Sequence, residues 1–296
     1  MELSADLLRR IHTAYELGIN LTELLKNEGM PLDSQVIEII YDLQAGSYTK
    51  YLKENNKSAE KFTTEVVQVI QPYILSGSSL LDAGTGEATS LISILKGLKL
   101  QIEIFAFDIS WSRLSFAIAN SKNSNVDINF AVGNMLNIPV PTSSVDTVLT
   151  VHAIEPNGGL ELEILRELAR VSKNYVVLIE PDFGSATNEQ QNRMKSLSYI
   201  GPLEDAINAS GLRLIEKVKV VNNSNPLNCA SIFVLRKVNL HGEGSERIKW
   251  VDPILYQELS EFEGGLRNQQ GLWYPVLRGI PFLRPEDSKL TLTPKK

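Results

Sequence analysis

A doubly wound, mostly parallel α/β sheet is the fold this sequence predicts, and three observations predict it. Between residues 78 and 237, short apolar runs alternate with segments of helical periodicity. The first of these runs breaks into Asp82-Ala83-Gly84-Thr85-Gly86, a glycine-rich turn that leads directly into a helical stretch. The last two runs have little more than Asn222-Asn223-Ser224-Asn225-Pro226 between them. That is too short for a crossover helix, so this pair should be an antiparallel hairpin.

Each element has its own signal. Residues 3 to 28 carry Leu7, Leu8, Ile11, Tyr15, Leu21, Leu24 and Leu25 at helical spacing, which predicts a buried stripe. Met30-Pro31-Leu32-Asp33 interrupts it, and Asp33 or Ser34 can cap a second helix from about Gln35 to Leu43. Helical character resumes over Tyr48 to Lys53, after the Gly46 break, and again from Phe62 to Ile74. Seven strands are expected, at 79 to 83, 102 to 108, 127 to 131, 145 to 151, 174 to 180, 214 to 221 and 229 to 236. Helices are expected near 87 to 97, 111 to 121, 158 to 170 and 188 to 210. The chain thus divides into a helical N-terminal cap over 1–61, a core over 62–238, and a linker with a small C-terminal module over 239–296. The polar run Asn239-Leu240-His241-Gly242-Glu243-Gly244-Ser245 marks the linker.

Composition narrows the function classes. With 296 residues, 43% hydrophobic and 22% charged, the chain is long enough for one large core and an appendage. A formal net charge of −6 argues against a broad grip on nucleic acid, which needs clustered Lys and Arg. Cys229 stands alone, so neither an intramolecular disulfide nor a cysteine-rich zinc site is available. No run approaches the roughly twenty apolar residues of a membrane span, and Glu2 and Asp6 stand where a secretory signal would be basic. A cytoplasmic enzyme with a small-molecule partner, no nucleic acid and no membrane is the expectation.

The turn at Asp82 to Gly86 is shaped for a nucleotide. Gly84 and Gly86 lack Cβ atoms, so backbone can lie against a ligand while the next helix offers its free amides. A dinucleotide fingerprint carries a third glycine three positions after the second, but Thr89 stands there. Asp82 adds a carboxylate, which repels phosphate and attracts a positive centre. An NAD-dependent oxidoreductase is therefore the weaker reading.

Asp108 ends the second strand, Gly133-Asn134-Met135 follows the third, and Val145 to His152 cover the fourth. Taken in this order, with the terminal hairpin, these motifs resemble the class I S-adenosylmethionine-dependent methyltransferases over about residues 40 to 237. Within that class the closest likeness is to the ubiquinone and menaquinone methyltransferase-like branch. The resemblance implies S-adenosylmethionine as cofactor, with Asp82, Gly84 and Gly86 against its methionine half. It implies Asp108, beside Ile109, as acceptor for the ribose hydroxyls, although Asp108 could instead cap the following helix. Gly133, Asn134 and Met135 would meet the adenine, the Asn134 carbonyl replacing the usual aspartate, with Leu136 and Ile138 packing beside it. Thr150 lies on the strand whose end borders the transferred methyl. Tyr48, in Ile40 to Tyr48, matches a segment that closes the cofactor site, or it merely packs the cap on the core with Tyr41.

A hydroxyl acceptor needs a base, and His152 and Glu155 after the fourth strand are the catalytic candidates. Glu180 and Asp182 at the fifth strand are further rim candidates, and Glu155-Pro156 and Glu180-Pro181 could orient loops instead of moving protons. The Asn/Asp-Pro-Pro-aromatic element of amide and amine methyltransferases is missing from His152-Ala153-Ile154-Glu155-Pro156-Asn157, so O-methylation of a small molecule is favoured. A cofactor-binding but inactive partner protein is the alternative. Trp250 to Tyr256 and Gly271 to Leu283 resemble a zinc-ribbon-like family that includes methyltransferase activators. Asp252 stands where its first cysteine would be, so no metal is expected and Trp250, Leu255, Trp273, Tyr274, Ile280 and Phe282 must pack instead. The module reads as a stabilising flap, with substrate selection or a homodimer contact as the other roles.

Overall fold

A computed structural model describes residues 4–19, 21–30, 34–197, 199–223, 225, 227–238 and 247–291. The cap comprises α1 (Ala5–Glu16), α2 (Leu21–Asn27), α3 (Ser34–Leu43) and α4 (Ser47–Glu54), and α5 (Asn56–Ile70) leads into the sheet. The core follows as β1 (Ser79–Ala83), α6 (Thr89–Leu98), β2 (Glu103–Asp108), α7 (Trp111–Ser124), β3 (Asn129–Gly133) and β4 (Val145–Val151). It continues through α8 (Glu161–Val171), β5 (Ser172–Pro181), α9 (Asn188–Ser196), α10 (Leu203–Ala209), β6 (Leu212–Lys219) and β7 (Ala230–Lys237). Five short strands complete the chain: β8 (Ser260–Phe262), β9 (Gly265–Arg267), β10 (Leu272–Leu277), β11 (Ile280–Leu283) and β12 (Lys289–Leu290).

The sheet runs β6-β7-β5-β4-β1-β2-β3. Neighbours from β5 to β3 are parallel, and β7 runs antiparallel to both β5 and β6. Every residue of β1 is buried, as a central parallel strand covered on both faces requires. The two faces alternate along the chain. Leu81, Ala83, Phe105 and Phe107 pack with Ile164, Leu165 and Leu168 of α8 on one side. Leu80, Ile104 and Ala106 pack with Val66, Leu91 and Leu114 of α5, α6 and α7 on the other.

The expected count of seven strands is too low, because the sheet continues past β3. Strand β11 pairs in parallel with β3, Phe282 opposite Val132 and Leu283 opposite Gly133. Beyond it come β10, β9 and β8, with β12 beside β10, so the sheet has twelve strands. The tail therefore covers an edge that would otherwise offer unpaired backbone groups. Tyr274 and Leu283 are fully buried in the same cluster as the core strands, and Trp250 meets Phe105 edge-on at 5.0 Å between ring centres.

Asp252 organises this module. Fully buried, it accepts hydrogen bonds from the backbone N–H groups of Ile254, Leu255 and Gln257 and from the Asn268 amide, at 3.0, 2.7, 2.9 and 3.2 Å. Four donors thus converge on one carboxylate.

Other expectations need correction. The stripe over residues 3 to 28 is two helices, because Gly18 turns the chain at φ 69°, and Ala14 is buried where Tyr15 is 41% exposed. Residues 188 to 210 likewise form α9 and α10, since Pro202 immediately precedes the second. The division between 61 and 62 falls inside α5, which is unbroken. Leu255 is 46% exposed and does not join the module's packing. The linker at 239 to 245 and the cap residue Asp33 lie outside the described residues.

Candidate active site

The glycine turn sits where β1 and β2 open. Gly84 and Thr85 both donate their N–H groups to the Phe107 carbonyl at 2.9 Å, which folds the turn over the end of β2. Gly84 has φ 76°, and a Cβ there would lie 2.6 Å from that of Ala153 and 2.5 Å from Met135 Cε. Glycine is thus required by both conformation and space. Gly86 N–H donates to Asp108 Oδ2 at 2.7 Å and Ser110 N–H to Oδ1 at 2.9 Å. Asp108 does not cap α7. Ser110 does, accepting from the Arg113 N–H at 3.1 Å, so each Asp108 oxygen keeps a free lone pair.

A cavity of about 60 Å³ opens at this point, lined by Gly84, Asp108, Ile109, Gly133, Asn134 and Met135, six of the residues singled out for a cofactor. Asp82, Gly86 and Thr150 stand behind its wall rather than on it. From the cap, Ser34, Ile37 and Tyr41 close over it, joined by Arg113 of α7 and by His152 and Ala153 after β4. Tyr48 does not line it. Tyr41 does, while Tyr48 faces a neighbouring cavity. Asn134 is held on both sides. Its carbonyl accepts from Leu136 N–H and its amide donates to Ser34 Oγ, both at 2.9 Å. Leu136 and Ile138 pack in the hydrophobic core and do not line the cavity.

Buried polar atoms around this cavity lack partners. They are Asp82 Oδ1, Thr85 Oγ1, Thr150 Oγ1, and Nε and Nη2 of Arg113. Burial pushes the Asp82 pKa up to about 7, and repulsion from Asp108 and Glu180 adds to the rise. The Thr85 hydroxyl, close by but without a hydrogen bond of normal geometry, opposes it. Burial also raises Asp108, against the Arg113 charge and the two backbone donors.

His152 follows β4 in the left-handed region, at φ 53°. Such a conformation is uncommon for a residue other than glycine and concentrates at functional sites. Its Nδ1 lies 2.9 Å from Glu155 Oε2. Desolvation lowers the imidazole pKa, but the hydrogen bond and charge of Glu155, with Glu180 beyond, outweigh it and leave the pKa above 6.5. Glu180 is not a rim acid. Fully buried, it accepts the N–H groups of Ala153, Ile154 and Glu155 at 3.0, 3.1 and 3.2 Å, holding the loop that carries His152. Burial pushes its pKa up to about 7. Asp182 is also structural, bound to Ser231 Oγ at 2.7 Å and Lys217 Nζ at 3.0 Å.

His152 also lines a second cavity of about 430 Å³, with Tyr48, Tyr51, Leu52, Phe62 and Val151 among its walls. Ser90, Ser93, Asn223, Asn225 and Asn228 supply its polar groups, and none of its described lining residues is a carboxylate, lysine or arginine.

Two residues of the site had no role in the sequence reading. Glu87, 2% exposed, accepts from the N–H groups of Gly46, Tyr48 and Thr49 and from Thr49 Oγ1. The glycine turn thus holds the start of α4. Arg113 is 7% exposed and lies 4.3 Å from the Tyr41 ring centre and 4.7 Å from that of Tyr48. Its sequence signal is a cation in the first turn of a helix, where the dipole favours anions.

A family model described as a methyltransferase domain matches residues 74–230, more than half of the chain. Ajmaline N-methyltransferase of Rauvolfia serpentina is 20% identical over 172 residues, 53% of this chain and 59% of the relative. The chain thus spans less than two thirds of that relative's length. Among solved structures, a chain of the complex between the Haloferax volcanii Trm112 methyltransferase activator and a protein described as a methyltransferase superposes with a TM-score of 0.51. It is 17% identical, over 67% of this chain and 97% of that one, a likeness of fold. A SAM-dependent methyltransferase from Aquifex aeolicus is 18% identical over 64% of this chain and 97% of its own, with a TM-score of 0.47.

Proposed function

The chain belongs to the methyltransferase domain family, and from that premise we propose an S-adenosylmethionine-dependent methyltransferase that acts on a neutral small molecule, preferentially at oxygen. The observation that carries this reading is the position of His152, which lines both the glycine-turn cavity and the larger uncharged one. A group at that junction faces cofactor and acceptor at once.

The residues present fit the cofactor. Gly84 forms a cradle that a Cβ would fill, and Asp108 retains lone pairs for the ribose hydroxyls. Arg113, which lines the cavity, has Nε and Nη2 unpartnered. The enclosed 60 Å³ is well below the few hundred cubic ångströms of a typical ligand pocket. Cofactor entry therefore moves the cap at α3, whose Ser34, Ile37 and Tyr41 close over the cavity.

When bound, S-adenosylmethionine supplies a methyl group on a positive sulfur. Asp108 and the glycine turn hold and orient the nucleoside, and that positioning supplies much of the acceleration. Glu155 holds His152 through Nδ1 and leaves Nε2 for the acceptor side. His152 would take the proton that an acceptor hydroxyl loses, and Glu155 would stabilise the imidazolium that results. Glu180 fixes the loop geometry through three backbone bonds.

An acceptor in the 430 Å³ cavity meets aromatic and aliphatic walls with neutral hydrogen-bonding groups around them. A carboxylate or phosphate ester finds no lysine or arginine there, and an ammonium no carboxylate, among the described lining residues. A neutral hydroxylated compound with an apolar body fits. Thermal denaturation with S-adenosylmethionine, S-adenosylhomocysteine and NAD tests the reading. The two adenosyl ligands should raise the midpoint and NAD should not, whereas stabilisation by NAD alone would point to an oxidoreductase. Cofactor binding without turnover on any neutral hydroxylated acceptor would favour the inactive-partner reading.

A further inference from the structure

Among the described residues, Arg113 is the one buried guanidinium on the cofactor cavity, and its situation is unusual. It is 7% exposed, yet Nε and Nη2 have no hydrogen-bond partner. A desolvated donor without a partner is costly, more so when charged. The rings of Tyr41 and Tyr48 lie 4.3 and 4.7 Å from its centre, so they stabilise the charge through their faces. Contacts to ring faces consume no N–H group. The donors in the guanidinium plane therefore remain available, and they belong to a fork matched to a carboxylate.

Position selects the ligand group. A Cβ on Gly86 would lie 3.3 Å from Arg113 Nη1, so the guanidinium sits over the glycine turn. It also lines the cavity with Asp108, and its charge lowers the pKa of that acid against the effect of burial. Both Asp108 oxygens already accept backbone N–H groups. Asp82 and Glu180 add buried carboxyl groups nearby. A phosphate dianion is a poor guest among three acids. A carboxylate that arrives with its own ammonium and sulfonium is a good one.

We infer that Arg113, seated between Tyr41 and Tyr48, holds the carboxylate of the cofactor's amino-acid half. The inference rests on the methyltransferase reading above and adds a carboxylate subsite to it. The arginine then selects the intact zwitterionic cofactor over analogues without that group, and it links cofactor occupancy to the two cap tyrosines.

Equilibrium binding of S-adenosylmethionine and of decarboxylated S-adenosylmethionine to the full chain and to Arg113→Gln tests this. Loss of a charge-assisted, two-pronged contact is worth about tenfold to a hundredfold in affinity. The wild-type protein should prefer the intact cofactor by that factor, and Arg113→Gln should bind both within about threefold of each other, by the same arithmetic. An unchanged ratio in the variant, or a wild-type protein that does not distinguish the two ligands, would overturn the inference. The wild-type ratio decides on its own if the variant does not fold. Absence of binding by either ligand to the wild-type protein would instead remove the methyltransferase reading itself.

Discussion

Glu87 and Thr49 meet across 38 residues of sequence, the Thr49 N–H and hydroxyl both donating to Glu87 Oε2, at 2.7 and 2.5 Å. One acid of the cofactor turn thereby anchors the first turn of α4, the helix that begins with Ser47 and Tyr48 and continues to Tyr51 on the acceptor cavity wall. Replacing Glu87 by Gln puts an amide N–H against backbone donors. The variant should lose about 2 kcal/mol of stability, the worth of a charged hydrogen bond, and bind cofactor more weakly. Chemical denaturation and equilibrium binding measure both, and wild-type values for both would show that α4 is held by other contacts.

His152 should be tested as Asn, because Asn accepts the left-handed backbone found there. The variant should transfer methyl groups about a hundredfold to ten-thousandfold more slowly, the range for loss of a general base, with cofactor affinity retained. A wild-type rate would exclude His152 as base.

The pH profile follows from the same pair. A base works in its neutral form, so the rate should rise with pH through an inflection above 6.5, where Glu155 holds the imidazole pKa. Glu155→Gln removes both the hydrogen-bonding carboxylate and its charge. The inflection should then move to lower pH, and a profile unmoved by that change would separate Glu155 from the chemistry.

Asp82 and Glu180 carry a second pH effect. Both are pushed up to about 7 when folded, from ordinary values of 3.8 and 4.5. Between those limits the folded protein binds protons that the unfolded chain has released. Stability of the empty protein should therefore fall as pH rises toward about 7. A cationic cofactor favours the ionised acids, so the midpoint gain from S-adenosylmethionine should be larger at pH 8 than at pH 6. Asp82→Asn should flatten that difference, and a gain independent of pH in the wild-type protein would contradict the coupling.

Asp252 predicts the behaviour of the C-terminal module. Asp252→Ala strands three backbone N–H groups and the Asn268 amide, which should cost about 2–4 kcal/mol by the penalty for buried unpaired donors. Calorimetric unfolding measures the loss. Chelators should leave the wild-type midpoint unchanged, and a fall on chelation would reveal a metal in this module.

Much of the core was legible because its signals are local. The run Leu80-Leu81 breaking into Gly84 and Gly86 places β1 and the turn, and Asp108 and Gly133 mark where the next strands end. The β11 and β3 pairing was not legible, since it joins Phe282 to Val132 across the chain, and no periodicity records which edge a distant strand will cover. Within the site, Gly84, Asp108, Ile109, Gly133, Asn134 and Met135 meet on one cavity, whereas Asp82, Gly86, Thr150 and Tyr48 do not line it. Arg113 and Glu87 escaped notice because each acts through tertiary contact. An arginine in the first turn of α7 is informative only when the tyrosines above it are known. Glu180 was open to two readings, a rim acid or an acid that orients a loop, because a sequence does not show which carboxylate turns inward.

Isothermal titration of S-adenosylhomocysteine into the full chain tests the central claim most directly. One saturable site per chain is predicted, with affinity unaffected by excess NAD. Absence of saturable binding, or displacement of the ligand by NAD, would contradict it.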